Sequence, residues 1–315
     1  MAVLSMLLLD GCHGGKAASN TPKIREKAVS GRTFVIALLP KENIFAQKRR
    51  YEPLAEYLSK SLGMNIKTRV LDSYDSVYKE MLTNKVDGAF FGGLGYVVMR
   101  SKIKLEPVAR SVLTDGRSDY RGVIFALRNR GITADISSWR GKRIGLVSRS
   151  TASGYLFPRW YLYKRGVRNF AGYFGRVYYM GSHDATIRAV TDNKIDIGCS
   201  TDRIFDKFLT KSPQETKDLV ILATSGPFPS DTLAIRKGSL DSGREKLLKE
   251  ALLDMDKTEE GRNVLLLMGA VRYVETRASD YEGIRSMIKD LSLSPDFFTQ
   301  AEIGRHISGK PAVRP

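Results

Sequence analysis

The chain is 315 residues long, 42% hydrophobic and 27% charged, which leaves room for two domains with real cores and excludes a disordered or fibrous polymer. Its formal net charge of +17 at pH 7 suits nucleic acid, anionic lipid or anionic solutes. The Lys and Arg residues are scattered, Lys48-Arg49-Arg50 being the densest cluster; with no basic stripe interleaved with aromatics, a solvated basic surface is expected and nucleic-acid binding is not.

In chain order, Ala2-Val3-Leu4-Ser5-Met6-Leu7-Leu8-Leu9 is an apolar run too short to span a bilayer and shaped like the core of a secretion signal. It ends in Leu9-Asp10-Gly11-Cys12. A small residue followed by Cys after such a run is similar to a bacterial lipobox, which would leave Cys12 as a lipidated N-terminus, although no Lys or Arg precedes the run and Asp10 is unusual there. Residues 1–11 are read as a signal segment, and 12–31, small, polar and aperiodic, as a tether. With Cys12 lipidated, Cys199 has no disulfide partner and reads as small core filling.

From residue 33 the pattern becomes alternating strand and helix. A continuous apolar strand over 33–39 is what a buried parallel sheet needs. Tyr51, Leu54, Ala55, Leu58 and Leu62 mark one helix face, with Pro53 placed in the first turn. A strand over 66–71, a helix over 74–83, a strand over 86–91 and a helix beginning near Leu94 follow. The glycine-rich link Gly92-Gly93-Leu94-Gly95 lacks a dinucleotide fingerprint and reads as room for close backbone approach.

Strands over 107–112 and 120–127 lead into a second unit: strand 143–147, helix 154–165, strand 177–180, helix 184–191, strand 195–199. Apolar stretches over 219–223 and 232–235 flank Ser225-Gly226-Pro227-Phe228-Pro229, read as a rigid connector. The rest is read as helical, with Leu247, Leu248, Ala251, Leu252 and Met255 on one face and a further segment over 264–268, packing back on the first unit. The organisation expected is therefore lobe 1 over 32–128, lobe 2 over 129–226, a return to lobe 1 over 227–308 and a frayed tail over 309–315.

The two units repeat weakly at an offset of 109 residues. Ser73-Tyr74-Asp75 returns as Ser182-His183-Asp184, Asn84-Lys85-Val86-Asp87 as Asn193-Lys194-Ile195-Asp196, and Val35-Ile36-Ala37-Leu38 falls on Ile144-Gly145-Leu146-Val147, with Gly63 on Gly172. Two such lobes make a cleft, and ligands of open α/β sheets sit beyond the carboxyl ends of the strands. Tyr74 and His183 then face each other from opposite walls.

The strongest local signal is Ser148-Arg149-Ser150-Thr151-Ala152-Ser153-Gly154, directly after a strand and before a helix. Backbone N–H groups at a helix start, the positive dipole end and several hydroxyls form an anion cradle; plain N-capping by one of the hydroxyls would use the same residues. Thr201-Asp202 and Ser230-Asp231 put single carboxylates where loops face the cleft, in a binding or a turn role. Only His13, His183 and His306 exist, and no spacing matches a metal site, a G-x-S-x-G elbow or a Walker loop. No cofactor, metal or catalytic residue is expected; an enzyme using Cys199 as nucleophile is a remote alternative, since no base adjoins it.

A strand, then Ser150-Thr151-Ala152-Ser153-Gly154-Tyr155-Leu156-Phe157-Pro158, His183-Asp184, Asn193-Lys194-Ile195-Asp196 and Thr201-Asp202 resembles the phosphonate, phosphite and phosphate-binding subunits of ABC importers, over about residues 34–272. The resemblance implies the two-lobed type II periplasmic binding-protein fold, α/β, each lobe a mixed and mainly parallel sheet flanked by helices. It implies oxyanion contacts at Thr151, Ser153 and His183, with Ser150 beside them, tyrosine contacts at Tyr74 and Tyr120, and, where the ligand carries an ammonium group, acids at Asp202 and Asp231. Ala152 stands where a threonine is usual and Asp202 where a glutamate is, so either Ser150 or Arg149 compensates or the ligand differs.

The function implied is that of a non-enzymatic receptor, probed by phosphonate, phosphite or phosphate, which closes on its ligand and docks on an ABC permease. It would be exported to the periplasm or cell envelope, anchored by lipid on Cys12, and monomeric. A sensory or adaptor lipoprotein using the same cleft is the alternative.

Overall fold

The computed structural model describes residues 31–39 and 44–299. The signal segment, Cys12 and its lipidation, the tether up to residue 30, His13, His306 and the tail lie outside the described residues.

In the first lobe the chain runs β1 (Phe34–Leu38), α1 (Ile44–Leu62), β2 (Ile66–Val70), α2 (Tyr74–Leu82), β3 (Gly88–Phe91), α3 (Gly93–Arg100) and β4 (Leu105–Leu113). It then crosses into β5 (Asp119–Leu127), β6 (Arg143–Leu146), α4 (Phe157–Tyr163), α5 (Phe170–Tyr173), β7 (Arg176–Tyr179), α6 (His183–Thr191), β8 (Ile197–Thr201), α7 (Asp202–Lys211), α8 (Pro213–Thr216) and β9 (Leu219–Pro229). It returns through β10 (Thr232–Arg236), α9 (Ser242–Leu253), α10 (Glu259–Met268), β11 (Ala270–Glu275), α11 (Glu282–Asp290) and α12 (Pro295–Thr299).

The strands form two sheets, ordered β11-β4-β10-β3-β1-β2 and β7-β6-β8-β5-β9. Parallel pairing is confined to β2-β1-β3 and β7-β6-β8, and every strand outside those triplets pairs antiparallel. The sheets are thus more evenly mixed than the expected mainly parallel arrangement. The central parallel strands are apolar because helices cover both faces: β3 reads Gly-Ala-Phe-Phe and is buried throughout, whereas edge strand β2 reads Ile-Lys-Thr-Arg-Val with Lys67 and Arg69 exposed.

The repeat is visible in the fold. Helices α2 and α6 begin and end at positions 109 apart, Tyr74 with His183 and Leu82 with Thr191. Ser73 caps the first by accepting from the Ser76 N–H at 3.1 Å, and Ser182 caps the second by accepting from the Ala185 N–H at 3.1 Å. Both helices are followed by an asparagine in the left-handed region, Asn84 at φ 58° and Asn193 at φ 57°. Asp87 accepts the Val35 N–H and Asp196 the Arg143 N–H, each at 2.8 Å. That pairing aligns Val35 with Arg143, so the first strand is one residue out of the 109-residue register. Gly63 is left-handed at φ +61°, whereas Gly172 lies inside α5, so their correspondence carries no structural meaning.

Several expectations are corrected. Strand β5 pairs with β8 and β9 in the second sheet, so the first crossing falls between Leu113 and Asp119 rather than near 128. The Pro-rich connector is the second half of β9: Tyr120 pairs with Phe228 and Asp119 with Pro229, which puts the return crossing at 230–231. Its prolines are tolerated because β9 is an edge strand. Pro53 lies inside α1 rather than in its first turn; the missing N–H would have bonded the carbonyl of Arg49, an exposed residue, so the loss falls on the solvent side of the helix. The segment read as helical after residue 247 contains β11, an edge strand on β4.

The first lobe packs α1, α9 and α10 on one face of its sheet through Leu54, Leu58, Leu248, Leu252 and Leu265, and the second packs α6 and α7 through Ile187, Val190, Phe205 and Phe208. A third cluster is continuous across both lobes, joining Phe91, Leu94 and Tyr96 to Ile124, Tyr155 and Phe157 and to Tyr281, Ile284 and Phe298. The C-terminal helices therefore belong to both lobes: the Trp160 indole N–H donates to Asp290 at 2.8 Å, and the Tyr155 ring lies 6.0 Å from Phe297 and 6.5 Å from Phe298.

Hydrogen bonds from the Arg143 side chain, then from its backbone N–H and from Arg130, hold the Asp196 carboxyl well below the usual carboxylate range. A depressed pKa stabilises the fold above the unfolded value of about 4, and that stability is lost as pH falls below it. We expect Asp196→Ala to cost about 1–3 kcal/mol in urea denaturation at pH 7, with exposed Asp192→Ala staying within about 0.5 kcal/mol. The Asp196 variant should also lose less stability than the parent between about pH 4 and pH 2.

Candidate functional site

A cavity of about 360 Å³ lies between the lobes. The first lobe lines it with Leu39, Arg50, Tyr74, Gly92 to Gly95, Ser111 and Leu113, and the second with Val147, Ser150 to Ser153, Gly181 to Asp184, Thr201, Arg203 and Ile204. Tyr120 enters from the start of β5, and Ser230 and Asp231 from the return crossing.

Helix starts dominate this lining. Helices α2 and α6 present Tyr74 and His183 at their first positions, α3 presents Gly93, and α7 contributes its cap Thr201 and Arg203. Each start carries N–H groups without intrahelical acceptors and the positive end of a dipole. Ser73, Ser182 and Thr201 cap three of them, but Gly92 offers α3 no side-chain cap. The first N–H of α3 to reach a carbonyl is that of Tyr96, which donates to Gly92 O at 3.0 Å.

The segment after β6 begins not as an α-helix but as a π-type turn over Ala152–Leu156, continuing into α4. No side chain caps it. Its first internal bond runs from the Leu156 N–H to Thr151 O at 3.1 Å, so among the described residues the N–H groups of 152–155 have no carbonyl partner, a wider donor array than an α-turn supplies. The turn is clamped from both sides by glycines. A Cβ on Gly154 would lie 2.4 Å from Val147 Cγ2, and one on Gly122 in β5 would lie 2.9 Å from Phe157 Cδ1 and 3.2 Å from Ser153 Cα.

Of the hydroxyls, Thr151 donates to Ser148 O at 2.7 Å, which commits its proton within the loop. Ser153 is 1% exposed and lines the cavity, and among the described residues its hydroxyl forms no hydrogen bond. His183 Nδ1 lies 3.3 Å from the hydroxyl of fully buried Ser200, which fixes the ring at the cavity wall. The Tyr120 ring packs 5.7 Å from Phe228. Burial, then the charge of Asp231, push its hydroxyl far above the ordinary tyrosine range, so it stays a protonated donor.

Seven of the eight expected ligand residues, Tyr74, Tyr120, Ser150, Thr151, Ser153, His183 and Asp231, line this one cavity. Asp202 does not. Its Oδ2 accepts from Arg117 at 2.9 Å and its Oδ1 from the N–H groups of Arg121 at 3.0 Å and Arg203 at 2.8 Å. The carboxylate is thus turned onto the first crossing, away from the cavity. The residue beside it, Arg203, reaches the cavity while donating to the carbonyls of Arg117, at 2.9 Å, and Asp119. Arg203 was not anticipated, because a single Arg after a helix cap has no distinguishing pattern. Arg50 was visible only as part of a basic cluster read as surface.

Burial pushes the Cys199 thiol well above its ordinary value, the opposite of an activated nucleophile, and it forms no disulfide. Among the described residues no group of His, Cys, Asp or Glu could hold a metal ion, and no helix is long and apolar enough to cross a membrane.

The profile of the family described as ABC transporter, phosphonate, periplasmic substrate-binding protein matches residues 36–281. Among curated relatives, the phosphonates-binding periplasmic protein of Escherichia coli K12 is 24% identical over 70% of this chain and 66% of its own length. A probable ABC transporter phosphite binding protein of Prochlorococcus marinus is 24% identical over 83% and 90%, and a phosphate-import protein of Mycolicibacterium smegmatis 26% identical over 64% and 64%. The chain therefore spans just under two thirds of the length of two of these three relatives. The solved structure of the Prochlorococcus marinus protein PhnD1, in complex with methylphosphonate, superposes with a TM-score of 0.72 at 21% identity, covering 82% of this chain and 98% of that one. A binding protein component of an ABC phosphonate transporter from Pseudomonas aeruginosa gives 0.71 at 19% identity, covering 86% and 90%. With a family profile that matches most of its length and a cleft built from opposed helix starts, this chain belongs to the periplasmic substrate-binding proteins of phosphonate ABC transporters.

Proposed function

We propose that the interlobe cavity takes a small tetrahedral oxyanion of the phosphonate, phosphite or phosphate class, and that this chain, a substrate-binding component by family, delivers it to a membrane permease. The observation that carries this reading is the convergence of uncapped N–H groups, those of 152–155 and of the α3 start, on one cavity that also holds Ser153, His183 and Tyr120. Neutral and backbone donors bind an anion without needing a metal.

The ligand class can be narrowed by charge. An ammonium-bearing tail needs carboxylates with free lone pairs, and Asp202 is committed to Arg117 and two backbone N–H groups. Asp231, at the crossing beside Tyr120, is left to face Arg203 and Arg50 across the same cavity. A ligand with a short uncharged substituent, or none, fits this balance better than an aminoalkyl phosphonate. Ser150, Thr151 and Tyr74 serve as wall residues, and closure follows because a ligand that touches both lobes binds the closed state better. The chain acts without catalysis as a monomer in the cell envelope, held there by lipid on Cys12.

Calorimetric titration with methylphosphonate, phosphite, phosphate and aminoethylphosphonate tests the reading. We expect saturable binding to at least one of the first three and no gain from the amino group; absence of heat with all four overturns the proposal. Each of Ser153→Ala and His183→Ala should weaken binding about 10–150-fold, the equivalent of one charge-assisted hydrogen bond of about 1.5–3 kcal/mol. Gly122→Ala, which pushes on Ser153 and Phe157 without touching the cavity, should lower affinity by at least about tenfold while leaving unfolding cooperative.

A further inference from the structure

We propose that the first lobe carries a second anion site, separate from the interlobe cavity, that takes a ligand presenting two or more phosphoryl groups, whether free in solution or displayed by a lipid surface. The site is an open groove of about 730 Å³ at the far end of α3, between that helix, the start of β4, the end of β10 and α11. Residues 93–95 of α3 line the interlobe cavity, and Tyr96 and Arg100 line the groove, so one helix separates the two.

Its charge is the first observation. The β4 and β10 pair ends with Leu105 opposite Arg236, and one step further the Lys237 N–H donates to Lys104 O at 3.0 Å. Two lysines therefore stand directly opposite each other, an arrangement that destabilises a sheet. Neither has a carboxylate partner among the described residues, and nor does Arg100. Arg100 alone would be explained by the negative end of α3; Lys104 and Lys237 would not. Arg285 adds a further cation and is paired with Glu282 at 3.3 Å. Glu106 is the one carboxylate on the groove lining.

The second observation is Tyr96. It is 1% exposed, its ring lies 4.4 Å from that of Tyr281 on the groove floor, and its hydroxyl is buried with no hydrogen-bond partner. Burial, moderated by Arg100, leaves the hydroxyl pushed up to about 12, so it remains a donor. A buried donor without an acceptor, beneath cations without counterions, matches an absent anion. A groove about twice the volume of the interlobe cavity, with Arg100, Lys104 and Lys237 around it, is larger than one phosphate needs.

Tripolyphosphate titrated calorimetrically into the full chain, with methylphosphonate present, tests the soluble source. Co-sedimentation with phosphatidylcholine vesicles, with and without phosphatidylglycerol, tests the lipid source. We expect at least one probe to bind saturably, with affinity lowered about tenfold or more in K104E/K237E and several-fold in Tyr96→Phe. Binding should be unchanged in R165E/R168E on the second lobe, which has the same change in net charge, and in Ser153→Ala. Tripolyphosphate binding alone assigns a soluble ligand and vesicle binding alone a lipid headgroup, and each supports the site. The proposal is overturned if neither probe binds, if R165E/R168E weakens binding as much as K104E/K237E, if Tyr96→Phe is without effect, or if Ser153→Ala abolishes tripolyphosphate binding. None of these outcomes depends on which oxyanion the interlobe cavity takes.

Discussion

Helix starts that point at one another across a narrow gap are the constraint on which the rest of this structure depends. Each start concentrates partial positive charge and donors without acceptors, and several of them in one small cavity repel one another until an anion or water fills it. The fold has to hold them in place by interactions elsewhere. In each lobe a carboxylate at the head of the third parallel strand, Asp87 or Asp196, accepts the backbone N–H of the first strand and fixes the two relative to each other. The helices that follow those third strands, α3 and α7, are aimed by that register, and Gly93 at the start of α3 and Thr201 and Arg203 at the start of α7 line the cavity.

The crossings and the C-terminal helices set how the lobes face each other. The first crossing and the start of β5 are gripped by Asp202, which accepts from Arg117 and Arg121, and by Arg203, which donates to the carbonyls of Arg117 and Asp119 and lies 3.4 Å from Asp115. Two adjacent residues at the start of α7 thus divide the work, one carboxylate holding the crossing and one guanidinium reaching the cavity. On the opposite side, the Trp160–Asp290 hydrogen bond and the packing of Tyr155 beside Phe297 and Phe298 tie the second lobe to the C-terminal helices, and the apolar cluster they share with α3 runs on into the first lobe.

The high positive charge is spread over the surface in the way scattered Lys and Arg residues predict. Aromatic rings organise part of it on the second lobe, where Arg140, Arg165 and Arg168 lie over Tyr173, Tyr161 and Tyr163 at 4.9, 3.5 and 4.1 Å. Only a few cations are placed where burial makes their charge count. Arg203, partly desolvated beside the cavity, has its pKa lowered chiefly by that burial, against the opposing pull of Asp115 at 3.4 Å.

What the sequence determined by itself was most of the element order up to residue 235, the duplicated unit and most of the cleft lining, because these rest on local signals: apolar runs, short motifs recurring at a fixed offset and a hydroxyl-rich turn after a strand. A period of 109 residues sufficed to put Tyr74 and His183 at equivalent helix starts, since helix starts after parallel strands converge whatever the details of packing. What only the tertiary structure decided was anything fixed by pairing between distant segments. The strand over 119–127 belongs to the second sheet because its backbone is bonded to β8 and β9, a choice no local pattern in its apolar run encodes. Asp202 turned away and Arg203 turned inward for the same reason: a carboxylate goes to the nearest donors, and Arg117 and the Arg121 N–H are brought there by the crossing, 85 and 81 positions away in sequence.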